Sequence, residues 1–179
     1  MKYKKDNFYI FTGAPGVGKT TLLKALKEQG MSYIAEPARE ILAEQRLIGG
    51  KGVSEQDQKV FRDLILTRSI DKFIANIHIK DTLLFDRGIP DVASYSHAFG
   101  FPQDTDVKTA QEYGYNNKVF ILPPWEEIYS TDEERTMKFE QLQEFHDSLV
   151  KTYQELNYEL LEVPKASITD RCNFIKENI

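Results

Sequence analysis

The sequence predicts an α/β fold, a mostly parallel sheet doubly wound by helices, and three observations carry that prediction. Strand-type and helix-type patterns alternate along all 179 residues. The first strand runs into a glycine-rich loop that opens directly onto a helix pattern. A later apolar strand, Leu83-Leu84-Phe85, ends in Asp86.

The elements follow in order. The first strand covers residues 7–12, and its helix runs from Gly18 to a glycine stop at Gly30. Residues 31–35 form a short second strand, and Pro37 at a first-turn position starts a helix to Leu47. Residues 48–52 are a flexible glycine loop. The Ser54-x-x-Asp57 pair caps a long helix to His78, anchored by Val60, Phe61, Leu64, Phe73, Ile74 and Ile77. At 1.5 Å per residue that helix would span roughly 35 Å. Residues 81–86 are the third strand. Helices over 90–99 and 105–113 follow, the second ended by Gly114. Residues 118–122 are the fourth strand, closed by Pro123-Pro124-Trp125. Thr131-x-x-Glu134 caps a helix to Leu156, residues 158–163 make the fifth strand, and 167–177 the last helix. With neither linker nor repeat, residues 1–179 read as a single domain.

Composition narrows the function classes. The net charge is −5 and there is no dense Lys/Arg block, which disfavours a nucleic-acid binder. The apolar segment after Lys2, Lys4 and Lys5 is too short for a signal peptide, and no run is long enough to cross a bilayer. One cysteine, Cys172, excludes an internal disulfide and reads as a buried structural thiol. His78, His97 and His146 lack metal-ligand spacing and read as surface or packing residues. The simplest reading is a soluble, cytoplasmic protein.

The loop Gly13-Ala14-Pro15-Gly16-Val17-Gly18-Lys19-Thr20 is a complete G-x-x-x-x-G-K-[ST] motif. Its glycines let successive N–H groups converge on an anion, and the helix that follows adds its positive dipole end. Lys19 can reach the β- and γ-phosphates, and the Thr20 hydroxyl can ligate Mg²⁺. In parallel sheets ligands bind at the carboxyl ends of strands, which directs attention to Glu36, Asp86, Arg87 and the 123–135 segment. Asp86 either supports the metal held by Thr20 or caps the next helix. Arg87 stands where hydrolytic ATPases place a water-activating acid. A guanidinium there can clamp a carboxylate or phosphate, or it can pair with Asp86 or Asp91. Glu36 can accept a proton from a substrate hydroxyl, or pair with Arg39 or Arg87. Arg135 and Lys138 lie where a mobile segment can close over phosphates, or they are solvated helix charges. Trp125 can stack on a ring, though packing beside Pro123 and Pro124 is the simpler role.

The segments G-A-P-G-V-G-K-T-T-L at 13–22, A-E-P-A-R-E at 35–40, L-L-F-D-R-G-I-P-D-V at 83–92, V-F-I-L-P-P at 119–124, and L-L-E-V-P at 160–164 with Thr169-Asp170-Arg171 form a set. On them the chain resembles the small AAA-type P-loop ATPase family that includes the ribosylnicotinamide kinase domain of bifunctional NAD-biosynthesis regulators. More distantly it resembles thymidylate and deoxynucleoside kinases. The resemblance implies a three-layer P-loop NTPase fold with strand order 2-3-1-4-5 and a short lid that supplies arginine. It implies ATP, with GTP not excluded, and Mg²⁺ as cofactors. Glu36, Arg39 and Arg87 would face an unknown small-molecule acceptor. The nucleotide would contact residues 13–21, including Thr21, and the base would lie near Val163, Pro164 and Lys165. Two functions follow. One is a Mg²⁺-dependent kinase acting on a hydroxyl of a nucleoside-like molecule, with Lys19, Glu36, Arg87 and Arg135 as its catalytic groups. The other, motivated by a lid with one arginine rather than several, is a nucleotide-gated module that hydrolyses slowly for a protein or lipid partner. The guanine-reading N-K-x-D signature is not met, because Asn117-Lys118-Val119-Phe120 has Phe120 in place of the carboxylate.

Overall fold

A computed structural model describes residues 2–129 and 138–179. At its centre are five parallel strands: β2 (Phe8–Gly13), β3 (Ser32–Ile34), β4 (Leu83–Asp86), β6 (Lys118–Leu122) and β7 (Glu159–Glu162). They lie in the order β3-β4-β2-β6-β7. In chain order of these five strands that is 2-3-1-4-5, as expected. Every residue of β2 and β4 is buried. Strands covered on both faces read as continuous apolar runs rather than alternating ones, which is how they stand in the sequence.

Register decides what reaches the carboxyl edge. Phe11 of β2 pairs with Asp86 of β4, and Gly13 pairs with Leu122 of β6. The glycine loop and the Asp86 carboxylate therefore leave the sheet side by side. Gly13 is required by this packing: its φ is 140°, and a Cβ there would lie 2.5 Å from the Leu122 carbonyl oxygen. The core beneath holds Phe8, Phe11, Phe73, Phe85, Tyr115 and Phe120 in tilted or edge-on contacts. Such ring pairs add about 0.5–1.5 kcal/mol each beyond the area they bury.

Helices α1 (Lys19–Glu28), α2 (Ala38–Ile48), α3 (Gln58–Ala75), α4 (Ile89–Ala98), α5 (Asp104–Glu112), α6 (Phe139–Glu155) and α7 (Ile168–Asn178) flank the sheet. Several differ from the sequence reading. The cap of α3 is Asp57 itself, which accepts from the N–H groups of Lys59 and Val60 at 3.1 and 3.0 Å. The helix ends at Ala75, so its 18 residues span about 27 Å rather than 35 Å. Phe61 and Phe73 are buried anchors, whereas Val60 and Ile74 face outward. A polar anchor does work the apolar pattern could not reveal. Arg62, buried in α3, donates to Asp106 of α5 at 2.8 Å, and Ser96 of α4 donates to the same carboxylate at 2.6 Å.

Gly114 is no helix stop. Helix α5 ends at Glu112, and β5 (Tyr113–Gly114) pairs in parallel with β1 (Tyr3–Lys4), a two-stranded sheet the sequence did not announce. Short pairings of this kind are set by tertiary contact and leave no pattern of their own. Helix α6 begins at Phe139 rather than near Thr131. Lys138 has extended backbone, and its N–H donates to the Gln141 side chain at 2.8 Å. The Thr131 cap lies outside the described residues. Cys172 is buried, as expected. Among the described residues, no helix is long and apolar enough to cross a membrane.

Candidate active site

The carboxyl ends of β2, β3 and β4 open into one cleft of about 740 Å³. Loop residues Pro15, Gly16, Gly18, Lys19, Thr20 and Thr21 form its floor, and Glu36, Arg39 and Arg87 stand on one wall. Gly18, with φ 86°, caps α1 in the left-handed region, and the loop backbone turns there into the helix. Gly13, Ala14 and Val17 are buried behind the floor, where they contribute backbone rather than surface.

Lys19 is 6% exposed, and its ammonium donates to the carbonyls of Gly13 and Ala14 at 2.9 and 3.0 Å. Burial lowers its pKa to about 8, helped by the nearby Arg87 charge and opposed by Asp86, Glu36 and Asp91. The Thr20 hydroxyl donates to Asp86 Oδ2 at 3.3 Å. Burial pushes the Asp86 carboxyl up to about 6, against the pull of Lys19. Its other oxygen, Oδ1, is buried with no hydrogen-bond partner among the described residues. A buried carboxylate oxygen without a donor, beside a threonine hydroxyl, fits a hard divalent cation with oxygen ligands. Thr20 and Asp86 are therefore the residues that could hold Mg²⁺.

The opposite side of the cleft is an ion pair. Arg87 donates from Nε to Glu36 Oε1 at 2.7 Å and from Nη1 to Asp91 Oδ1 at 3.1 Å. Tyr95 adds a bond from its hydroxyl to Glu36 at 3.4 Å, and the Arg87 guanidinium lies 5.4 Å over its ring. Burial alone would raise the Glu36 carboxyl. Arg87, with Lys19 and Arg39, outweighs that and holds it below the ordinary carboxylate value. Glu36 is thus an ionised carboxylate on the cleft wall, its side chain 23% exposed. Of the alternatives open in the sequence, Arg87 takes Glu36 and Asp91 as partners rather than Asp86. Its backbone sits at φ 67°, a left-handed conformation that costs a non-glycine residue about 1–2 kcal/mol. Strain of this kind persists only where surrounding contacts fix it.

The far end is made by Trp125, Ile128, Tyr129, Ala166, Ile168 and Arg171. Val163 is in the core, Pro164 is exposed, and it is Ala166 of that turn which lines the cleft. Trp125 faces the cleft with the Arg171 guanidinium 5.8 Å over its ring, rather than packing only on its prolines. Arg171 is 5% exposed and donates to the Val17 carbonyl at 3.4 Å. In the sequence Arg171 stands within the resembling segments without a role, and Tyr95 stands in none of them. An arginine in a terminal helix has no distinguishing spacing; only the packing of α7 on α1 brings it to the loop. Lys138 is exposed at the start of α6 and does not line the cleft. Arg135 lies outside the described residues.

A family model described as an AAA domain matches residues 8–171. The chain belongs to that AAA family. No curated protein matches its sequence. Solved structures similar to this AAA domain are NadR protein in complex with NR (16% identity, TM-score 0.69), thymidylate kinase from Ehrlichia chaffeensis (15%, 0.66) and M. mycoides deoxyadenosine kinase with bound dATP (15%, 0.60). The matches cover 98% of this chain and 50% of NadR, 96% and 97% for the thymidylate kinase, and 96% and 98% for the deoxyadenosine kinase. The chain thus spans about half the length of NadR and nearly the whole of the two kinases. At these identities the likeness is one of fold, a five-stranded parallel sheet flanked by helices.

Proposed function

We propose that this AAA domain is a Mg²⁺-dependent phosphotransferase that moves the γ-phosphoryl group of ATP to a hydroxyl of a nucleoside-like small molecule. The observation that carries the reading is the juxtaposition, in one cleft, of the phosphate loop with a carboxylate–guanidinium pair. Hydrolytic ATPases usually place a free acid at the position after such an aspartate to activate water. This chain has Arg87 there, and its carboxylate, Glu36, stands on the same wall of the cleft and is held by that arginine.

In the transfer the acceptor oxygen bonds to the γ-phosphorus as the bond to the β–γ bridging oxygen breaks, and ADP leaves. The acceptor proton passes to Glu36. Phosphoryl transfer demands little covalent work from a protein, so positioning and charge carry most of the rate. Loop N–H groups and Lys19 hold the β- and γ-phosphates. Thr20 and Asp86 would hold Mg²⁺, which when bound would supply charge neutralisation to the phosphate oxygens. Arg87 fixes the Glu36 carboxylate, and Arg39 lines the same wall for the acceptor. A panel of nucleosides and vitamins incubated with γ-labelled ATP tests the proposal. Label appearing in one acceptor is expected; label recovered only as inorganic phosphate would replace transfer by hydrolysis.

A further inference from the structure

Asp91 lies one turn behind the Glu36–Arg87 pair, is 1% exposed, and does not line the cleft. Four donors converge on it. Thr12 and Arg87 donate to Oδ1 at 2.6 and 3.1 Å, and the Gly88 N–H and Tyr153 hydroxyl donate to Oδ2 at 2.8 and 2.6 Å. A carboxylate offers about four acceptor positions, so this one is saturated and its orientation is fixed. The donors come from separate elements. Thr12 is the β2 residue just before the phosphate loop, Gly88 caps α4, and Tyr153 is carried on α6.

Resting on the phosphotransferase reading, we propose that Asp91 is a positioning residue that aims Arg87 at Glu36. Tyr153 and Thr12 hold Asp91 itself in place. The Arg87 backbone is in a strained left-handed conformation, so local preference does not set the direction of its side chain. Glu36 holds one edge of the guanidinium at Nε and Asp91 holds another at Nη1. Two anchors on different edges fix a planar group in both direction and tilt, where one would leave it free to swing. Glu36 then presents its carboxylate to the cleft only as accurately as Asp91 holds the arginine. Because one of the four donors belongs to α6, the seating of that helix is felt at the base. A plain helix-capping role would need only the Gly88 bond. It accounts for neither Tyr153 nor Thr12, both buried hydroxyls spent on this one carboxylate.

The test reads Arg87 directly. In protein labelled with ¹⁵N-arginine, the Arg87 Nε–H signal, assigned by its loss in Arg87→Lys, is expected to exchange slowly with water. Asp91→Asn should speed that exchange by about tenfold or more, while MgATP affinity measured by calorimetry stays within about threefold. Tyr153→Phe removes one donor only; it should give a smaller acceleration in the same direction and serves if Asp91→Asn does not fold. Thr12→Ser, which keeps the hydroxyl, should restore nothing lost and leave exchange as it was, whereas Thr12→Val should raise it. Where an acceptor has been identified, kcat should fall in Asp91→Asn with the KM for ATP unchanged. Unaltered Arg87 exchange in Asp91→Asn, or in Tyr153→Phe where the former does not fold, overturns the inference. Absence of any transfer product would count against the phosphotransferase reading and leave the exchange result to decide this one.

Discussion

Replacing Glu36 by Gln removes one charge and one proton-accepting site with little change of shape. The bond from Arg87 Nε is 2.7 Å long and charge-assisted at both ends. Hydrogen bonds to charged groups contribute about 1.5–3 kcal/mol; with Arg87 still charged, the bond to the amide oxygen falls from the top of that range toward its bottom, a cost of about 1–2 kcal/mol. Stripping a buried pair of one partner outright costs more, about 3–5 kcal/mol. That larger figure does not apply, because Asp91 still compensates Arg87 at 3.1 Å and the Glu36 side chain is 23% exposed. For a chain of this size 1–2 kcal/mol lowers the thermal midpoint by about 2–8 °C. Loss of a general base slows turnover by about 10²–10⁴-fold. Glu36 makes no bond to the phosphate loop, so MgATP affinity should hold within about threefold of the unaltered protein, since uniform binding is untouched. Thermal unfolding with and without MgATP, alongside label transfer to the identified acceptor, measures all three. Turnover that survives Glu36→Gln would refute Glu36 as the base. A collapse of both stability and nucleotide affinity would make the residue structural.

Four further outcomes are expected. Lys19→Ala should weaken ATP binding by about 100-fold or more, while the thermal midpoint without nucleotide holds or rises, because the ammonium it removes is buried at a cost seen in its pKa of about 8; calorimetry and thermal scans check both. The Asp86 carboxyl is raised to about 6, so protons compete with Mg²⁺ below that value; metal-dependent nucleotide affinity should rise by about tenfold from pH 5 to 7 and level off above, and a flat profile would remove Asp86 from the metal site. The same raised value means the folded state binds this proton more tightly than the unfolded chain, so the group's contribution to stability falls as pH rises from about 4 to about 6. Arg171→Ala should raise the dissociation constant for ATP by about tenfold through loss of the guanidinium stacked on Trp125 beside Gly18, with kcat little changed; unchanged affinity would return Arg171 to packing.

Much of this protein is local and therefore stands in the sequence. The glycine loop between an apolar strand and an amphipathic helix is a contiguous device, since its anion site is made from successive backbone N–H groups. Strands buried on both faces declare themselves as apolar runs, and the residue after each one is known to face the ligand edge. Hence Lys19, Thr20, Glu36, Asp86 and Arg87 were legible, and so was the strand order that the segment resemblance implied. Partnership was legible only as a set of alternatives. Glu36 and Arg87 are 51 residues apart, Tyr153 reaches Asp91 across 62, and Arg171 reaches Val17 across 154. A side chain's choice among nearby opposite charges depends on distances of a few tenths of an ångström, which no periodicity encodes. So Arg87 could be seen as a clamp, but only the folded chain shows it gripped by two carboxylates. For the same reason Asp91 stood in the sequence only as one candidate partner of Arg87, and the folded chain, which brings Thr12 of β2 and Tyr153 of α6 to it, made it the point where four donors meet.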